Sequence, residues 1–146
     1  MVKYQLCGIS GGTGGASFDD RWFLGSANVP AVRTILAFAD ENYVHSIQMT
    51  WDGNIAGGAH GGPGGAEYLI QLDSDEYIDS IDGAHDTYVK WMGITTNKKL
   101  YIIGKPELTT QKFLYMSCPG KQRIVGFWGR CGDLVDAIGV HFMSDF

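Results

Sequence analysis

The sequence predicts an all-β fold on three observations: the spacing of its glycines, the alternation of its apolar residues and an internal repeat. Twenty-one Gly and four Pro in 146 residues interrupt the chain about every six positions, the length of a strand and shorter than a typical helix. Between the breaks, apolar residues alternate. Tyr68, Ile70 and Leu72 point one way while Glu67, Leu69 and Gln71 point the other, the period-2 pattern of a half-buried strand. The loop sequence Gly11-Gly12-Thr13-Gly14-Gly15 returns as Gly61-Gly62-Pro63-Gly64-Gly65, fifty residues on. Sandwich, barrel and prism architectures all fit short strands at this spacing.

Taken in chain order, the first long segment is 31–52, which holds neither Gly nor Pro. Its β-branched and aromatic residues around the polar centre Asp40-Glu41-Asn42 predict two strands joined by a turn, with a helix as the alternative. Strands follow at 67–72, Leu100–Ile103, Phe113–Met116 and Ile124–Trp128. Three further segments superpose on one another: Val44 to Met49, Val89 to Ile94 and Val135 to Val140, offset by 45 and then 46 residues. Each implied unit is too small to bury its apolar face alone. Three units stacked around a shared axis would close a common core. This predicts pseudo-threefold symmetry, and with no linker between units the chain reads as one domain over residues 1–146.

Composition narrows the function. Eleven Lys+Arg against sixteen Asp+Glu leave a formal charge of −5, so a nucleic-acid partner lacks its electrostatic footprint. No uninterrupted apolar stretch approaches the roughly 18 residues that a membrane helix needs, so membrane insertion is not expected. Met1 to Gln5 carries no apolar signal segment, although cleavage of a leader would leave no trace. The expected location is extracellular as a mature chain, with the cytoplasm as the alternative. Cys7, Cys118 and Cys131 allow at most one internal bridge. Cys131, flanked by Gly129, Gly132 and Asp133, reads as part of an exposed turn.

Two constellations could carry function. The glycine loops lack the Lys-Ser/Thr of a phosphate loop and the helix of a dinucleotide site. What they offer is backbone N–H groups that a ligand can approach without meeting a side chain. Near the C-terminus, the Gly-rich turn Gly129 to Asp133 precedes Asp136, four residues after Gly132. Turn N–H donors and a carboxylate acceptor converging on one small ligand suit a sugar, whose hydroxyls both donate and accept.

Four stretches together, GGTGGASFDD (11–20), IQMTWDG (47–53), TNKK (96–99) and above all IVGFWGRCGDLVDAIGV (124–140), resemble the jacalin-related lectins, in particular their uncleaved mannose-type subgroup. The resemblance covers nearly the whole chain. It implies a β-prism I, three four-stranded antiparallel sheets with pseudo-threefold symmetry. It implies sugar binding without catalysis, cofactor or metal, with mannose/glucose-containing glycans as partners. The implied contacts are the N–H groups of Gly15, Asp133 and Leu134 and the carboxylate of Asp136. A homodimer or higher homo-oligomer is expected from the same likeness. Asp136 corresponds to His45 in the first unit and Lys90 in the second, so a second sugar site is conceivable only around Gly65 and His45.

Rival readings are weaker. His45, His60, His85 and His141 show no metal-ligand spacing. The acidic stretch Asp73 to Asp86 has Ile78 where an EF-hand needs glycine and Ala84 where it needs the bidentate glutamate. An acidic-surface matrix protein that binds calcium or mineral on a prism scaffold is the alternative function. Among the tryptophans, Trp51 and Trp128 belong to apolar strand runs and are expected in the core, while Trp22 is harder to place.

Overall fold

Three long hairpins organise the molecule, each joining two strands across a short turn; buried residues alternate with less buried ones along β3 and β4, whereas every residue of β13 is buried. A computed structural model describes residues 3–22, 29–107, 111–117 and 122–144. Thirteen strands run through them: β1 (Lys3–Gly11), β2 (Ala16–Asp19), β3 (Val32–Ala39), β4 (Val44–Trp51), β5 (Ile55–Ala56), β6 (His60–Gly61), β7 (Ala66–Gln71), β8 (Ile78–His85), β9 (Val89–Thr96), β10 (Leu100–Ile103), β11 (Gln111–Met116), β12 (Gln122–Cys131) and β13 (Val135–Ser144). No helix occurs among the described residues. The segment 31–52 is two strands around the turn at 40–43, as its composition predicts.

The inner hairpins are β3–β4, β8–β9 and β12–β13. Their second strands begin at Val44, Val89 and Val135, the residues that the repeat aligns, and all three valines are fully buried. Outer strands flank each hairpin in antiparallel pairing: β1 and β2 beside β13 and β12, β7 and β5/β6 beside β3 and β4, β11 and β10 beside β8 and β9. The result is three four-stranded sheets related by pseudo-threefold symmetry, a β-prism. A single residue pair, Ile124 with Ile78, joins the first sheet to the third.

Inward-facing residues from all three sheets meet in one core. Ile35, Ile47 and Met49 come from the second sheet, Ile81, Met92 and Ile94 from the third, and Phe127, Ile138 and Val140 from the first. Each such side chain, fully buried, contributes about 1.5–3 kcal/mol relative to exposure. Trp51 crosses between sheets, its indole N–H donating to the Val125 carbonyl at 3.0 Å. Trp128, expected in the core, is half-buried instead; its N–H donates to the Cys7 carbonyl at 2.9 Å and fastens β1 to the first sheet.

At one end of the prism the connecting loops interlock. A Cβ added at Gly62 would come within 2.6 Å of the Asp133 carbonyl oxygen, and one at Gly12 would sit 3.0 Å from the Thr87 carbonyl carbon. Each glycine loop therefore packs its bare backbone against the hairpin turn of a neighbouring sheet, a separation that only glycine permits.

Candidate functional site

The first glycine loop, 11–15, connects β1 to β2, and residues 132–134 connect β12 to β13. Both flank the same sheet, so they meet at one end of it. The Gly12 N–H donates to the Asp136 carbonyl at 2.9 Å, and the Gly132 N–H closes the turn on the Leu134 carbonyl at 3.0 Å. Gly15 adopts φ +68°, a left-handed conformation that costs glycine little.

Asp136 stands at the centre of this arrangement. A Cβ on Gly14 would lie 2.7 Å from its Oδ2, and one on Gly15 would lie 2.6 Å from its Oδ1. The carboxylate thus rests against the bare Cα atoms of both glycines. It is 5% exposed, and no hydrogen bond from a described residue reaches it. Neither oxygen is a sealed, unpartnered atom, so both retain solvent contact. A carboxylate left in this state keeps its lone pairs for an incoming donor. Close by, the N–H groups of Gly15, Asp133 and Leu134 make no backbone hydrogen bond among the described residues. Of the residues that the resemblance implies, Gly15 lies directly against the Asp136 carboxylate, and Asp133 and Leu134 belong to the turn that leads into Asp136.

Sequence reasoning gave Arg130 no role. Its Nε donates to the Gly14 carbonyl at 2.9 Å and its guanidinium donates a second bond to the Gly15 carbonyl at 2.7 Å. The planar fork holds the loop by its two carbonyls. The Gly129-Arg130 pair was visible in the motif, but no signal in the sequence pairs Arg130 with a loop 115 residues earlier. Cys131, expected in an exposed turn, is the half-buried last residue of β12 because its side chain packs toward Gly61. Burial pushes its thiol pKa up, partly offset by a hydrogen bond from Gly61 and reinforced by the nearby Asp136 charge. Cys7 and Cys131 are free thiols; Cys118 lies outside the described residues.

Around the second glycine loop, His45 takes the place of Asp136. Its Nε2 pairs with Asp40 Oδ2 at 2.7 Å and its Nδ1 with the Pro63 carbonyl at 3.1 Å. Asp40 also accepts the N–H groups of Asn42 and Tyr43. The hydrogen bonds from His45 and then from these amides lower its pKa to about 2, while the same pairing raises that of His45. It is Gly64 that lies against the His45 ring, while Gly65 packs on the Ala39 backbone, and both ring nitrogens of His45 are already engaged. Lys90, the third equivalent, lies 3.5 Å from Glu107 and over the Tyr43 ring.

The acidic stretch is largely spoken for. Asp73 and Asp75 both bind Lys98, and Glu76 is buried, accepting hydrogen bonds from Thr96, Tyr101 and the Asp73 N–H. Among the described residues no group of three acidic, His or Cys side chains is placed to hold a metal ion. Trp22 is exposed and packs edge-on against Trp51.

Comparison with known proteins points the same way as the geometry. The family model described as "Jacalin-like lectin domain" matches residues 7–141. An agglutinin of Castanea crenata is 34% identical over 145 residues, covering 90% of this chain and 44% of the relative. The chain spans less than half the length of the curated relatives it matches. A mannose-binding lectin from Champedak superposes with a TM-score of 0.78 at 26% identity, covering 96% of this chain and 97% of the other. Artocarpin complexed with methyl-α-mannose superposes with a TM-score of 0.79 at 26% identity, covering 98% and 99% respectively.

Proposed function

The chain belongs to the jacalin-like lectin family, and on that premise we propose that it binds mannose- and glucose-type glycans through Gly15, Asp133, Leu134 and Asp136. It is a carbohydrate-binding protein and not an enzyme. The observation that carries the site assignment is the Asp136 carboxylate, largely buried, bare of protein hydrogen bonds among the described residues and pressed against Gly14 and Gly15. Two adjacent hydroxyls, the 4- and 6-OH of a pyranose, donate to its oxygens. The N–H groups of Gly15, Asp133 and Leu134 donate to the sugar oxygens.

Specificity follows from that geometry. Hydrogen bonds to a charged acceptor are worth about 1.5–3 kcal/mol each. An axial 4-OH, as in galactose, points away from the carboxylate and leaves one of them unmade. Mannose and glucose are therefore preferred. No step in this binding uses a metal, and Asp136 is free to serve the sugar directly.

One shallow site buries few ligand atoms, so monosaccharide affinity falls at about 0.1–10 mM. Self-association compensates, since two or more linked sites raise avidity by about 10²–10⁴ on a glycan-coated surface. Recognition of glycoconjugates outside the cell is the role this arrangement serves. The engaged ring of His45 favours one principal site per chain.

A glycan-array screen of the protein beside Asp136→Ala, without calcium and then with it, tests the reading. Calcium-independent binding to mannose- or glucose-terminated glycans that the variant loses is the expected result. A wild type that ignores every sugar, or a variant that binds equally well, overturns it.

A further inference from the structure

Eight large apolar side chains stand exposed among the described residues, and four of them, Leu100, Ile102, Leu114 and Met116, belong to one sheet. That sheet is β10-β9-β8-β11. Its inward residues, such as Tyr101, Ile103, Phe113 and Tyr115, pack on the core, so these four point outward. Register sets Ile102, Gly93, Asp82 and Leu114 side by side in one row across the sheet. Gly93 has no side chain, and the Asp82 carboxylate and the tip of Ile102 fold over it. The surface is consequently low in the middle and apolar at both ends. A shallow depression of about 300 Å³ beside Asp82, lined by Trp91, Phe113, Lys112 and Leu114, leaves room for a side chain from a facing surface.

Two charges break this apolar face, and they are of opposite sign. Asp82 is half-buried and Lys112 is exposed, one row away on the neighbouring strand, since Lys112 pairs with Ala84. Diagonal neighbours of this kind sit about 7–8 Å apart. Neither closes an ion pair with a described residue, although Lys112 is near enough to favour the charged form of Asp82 against the burial that raises its pKa. An isologous contact places residue i on j and j on i. A two-fold axis parallel to the sheet, just outside its outer face and midway between Asp82 and Lys112, sets each carboxylate opposite the other copy's ammonium. The same rotation keeps Ala84 and Leu114 near the axis, where apolar surface meets apolar surface.

We propose that the outward face of β10-β9-β8-β11 is the surface through which two copies of this chain associate, with reciprocal Asp82–Lys112 pairs across the two-fold axis. The inference rests on the multivalent reading above and supplies its interface. Because this face belongs to a different sheet from Asp136, association leaves the sugar site of each copy open. The edge strand β1, with Leu6 and Ile9 exposed, is the competing surface.

Sedimentation equilibrium on the full chain, with calorimetric titration of methyl-α-mannoside on the same samples, decides between them. The wild type is expected near twice the chain mass of 15.9 kDa. Asp82→Lys and Lys112→Asp each set like charges against one another and weaken association by at least about 100-fold. The double exchange restores opposite charges and returns the dimer, which a folding defect would not do. A dimer that neither single exchange disturbs, that the double exchange fails to restore, or that only Leu6→Glu dissociates would overturn the interface and leave multivalency standing. A wild type that stays monomeric overturns both. Sugar affinity per chain is unchanged in the monomeric variants. If no preparation binds the sugar while the charge exchanges behave as expected, the interface stands and the sugar reading fails.

Discussion

Arg130 lies outside the expected sugar contacts, and its removal is the sharpest test of how the site is held. Its two hydrogen bonds to the Gly14 and Gly15 carbonyls, at 2.9 and 2.7 Å, are the side-chain ties on a loop otherwise built from glycine. Glycine-rich backbone has the most conformational freedom to lose, so the loop depends on such ties to keep one conformation beside Asp136. Both bonds face solvent, which sets their net worth at the low end of the usual range, about 0.5–1 kcal/mol each. Losing both costs about 1–2 kcal/mol of loop order, and the fraction of chains with a competent loop falls in proportion. The apparent Kd is the intrinsic Kd divided by that fraction, so Arg130→Ala raises the Kd for methyl-α-mannoside about 5- to 30-fold. Arg130→Lys recovers only part of the loss, because a point-like ammonium cannot span both carbonyls as the planar fork does. Isothermal titration at matched protein concentration measures the effect, and a thermal melt on each variant verifies the fold. A Kd for Arg130→Ala within about twofold of wild type, with the melt unchanged, would refute the idea that the clamp orders the loop.

Other substitutions probe neighbouring parts. Gly15→Ala, read by the same titration, abolishes sugar binding: the new Cβ would sit 2.6 Å from Asp136 Oδ1, and the φ of +68° disfavours an L side chain. The His45–Asp40 pair predicts a pH dependence of stability. His45 has a raised pKa, so its contribution is full below the unfolded value of 6.5 and is lost as pH rises through the folded value. Asp40 is depressed from 3.8 to about 2, so its contribution is present above 3.8 and is lost as pH falls toward 2. The pair therefore adds stability between these limits, and because Asp40 is well exposed the gain in Tm is at most about 2–4 °C. Melts at pH 5.5 and 8.5 should differ by less in His45→Gln than in wild type, and equal differences would remove the pair from the account. Trp51→Phe deletes the bond to the Val125 carbonyl in a fully buried setting and costs about 1–3 kcal/mol in a guanidinium titration.

Much of the architecture was legible in the sequence, for reasons that operate locally. Glycine and proline punctuation, alternation of apolar residues and the offsets among Val44, Val89 and Val135 are properties of neighbouring residues, and the three valines duly open the second strands of three buried hairpins. Residue types alone showed two Gly-rich turns with unobstructed backbone and a carboxylate at Asp136; the choice of Gly15, Asp133, Leu134 and Asp136 as sugar contacts came from the resemblance to the jacalin-related lectins. What tertiary structure alone decided depends on distance between parts remote in sequence. Arg130 grips a loop 115 residues earlier, His45 spends both ring nitrogens on Asp40 and Pro63, and Lys98 pairs with both Asp73 and Asp75 from another strand turn. Cys131, expected exposed, and Trp128, expected in the core, both end half-buried for the same reason: strand period states which side of a sheet a residue takes, while the neighbouring sheets and loops determine what covers that side.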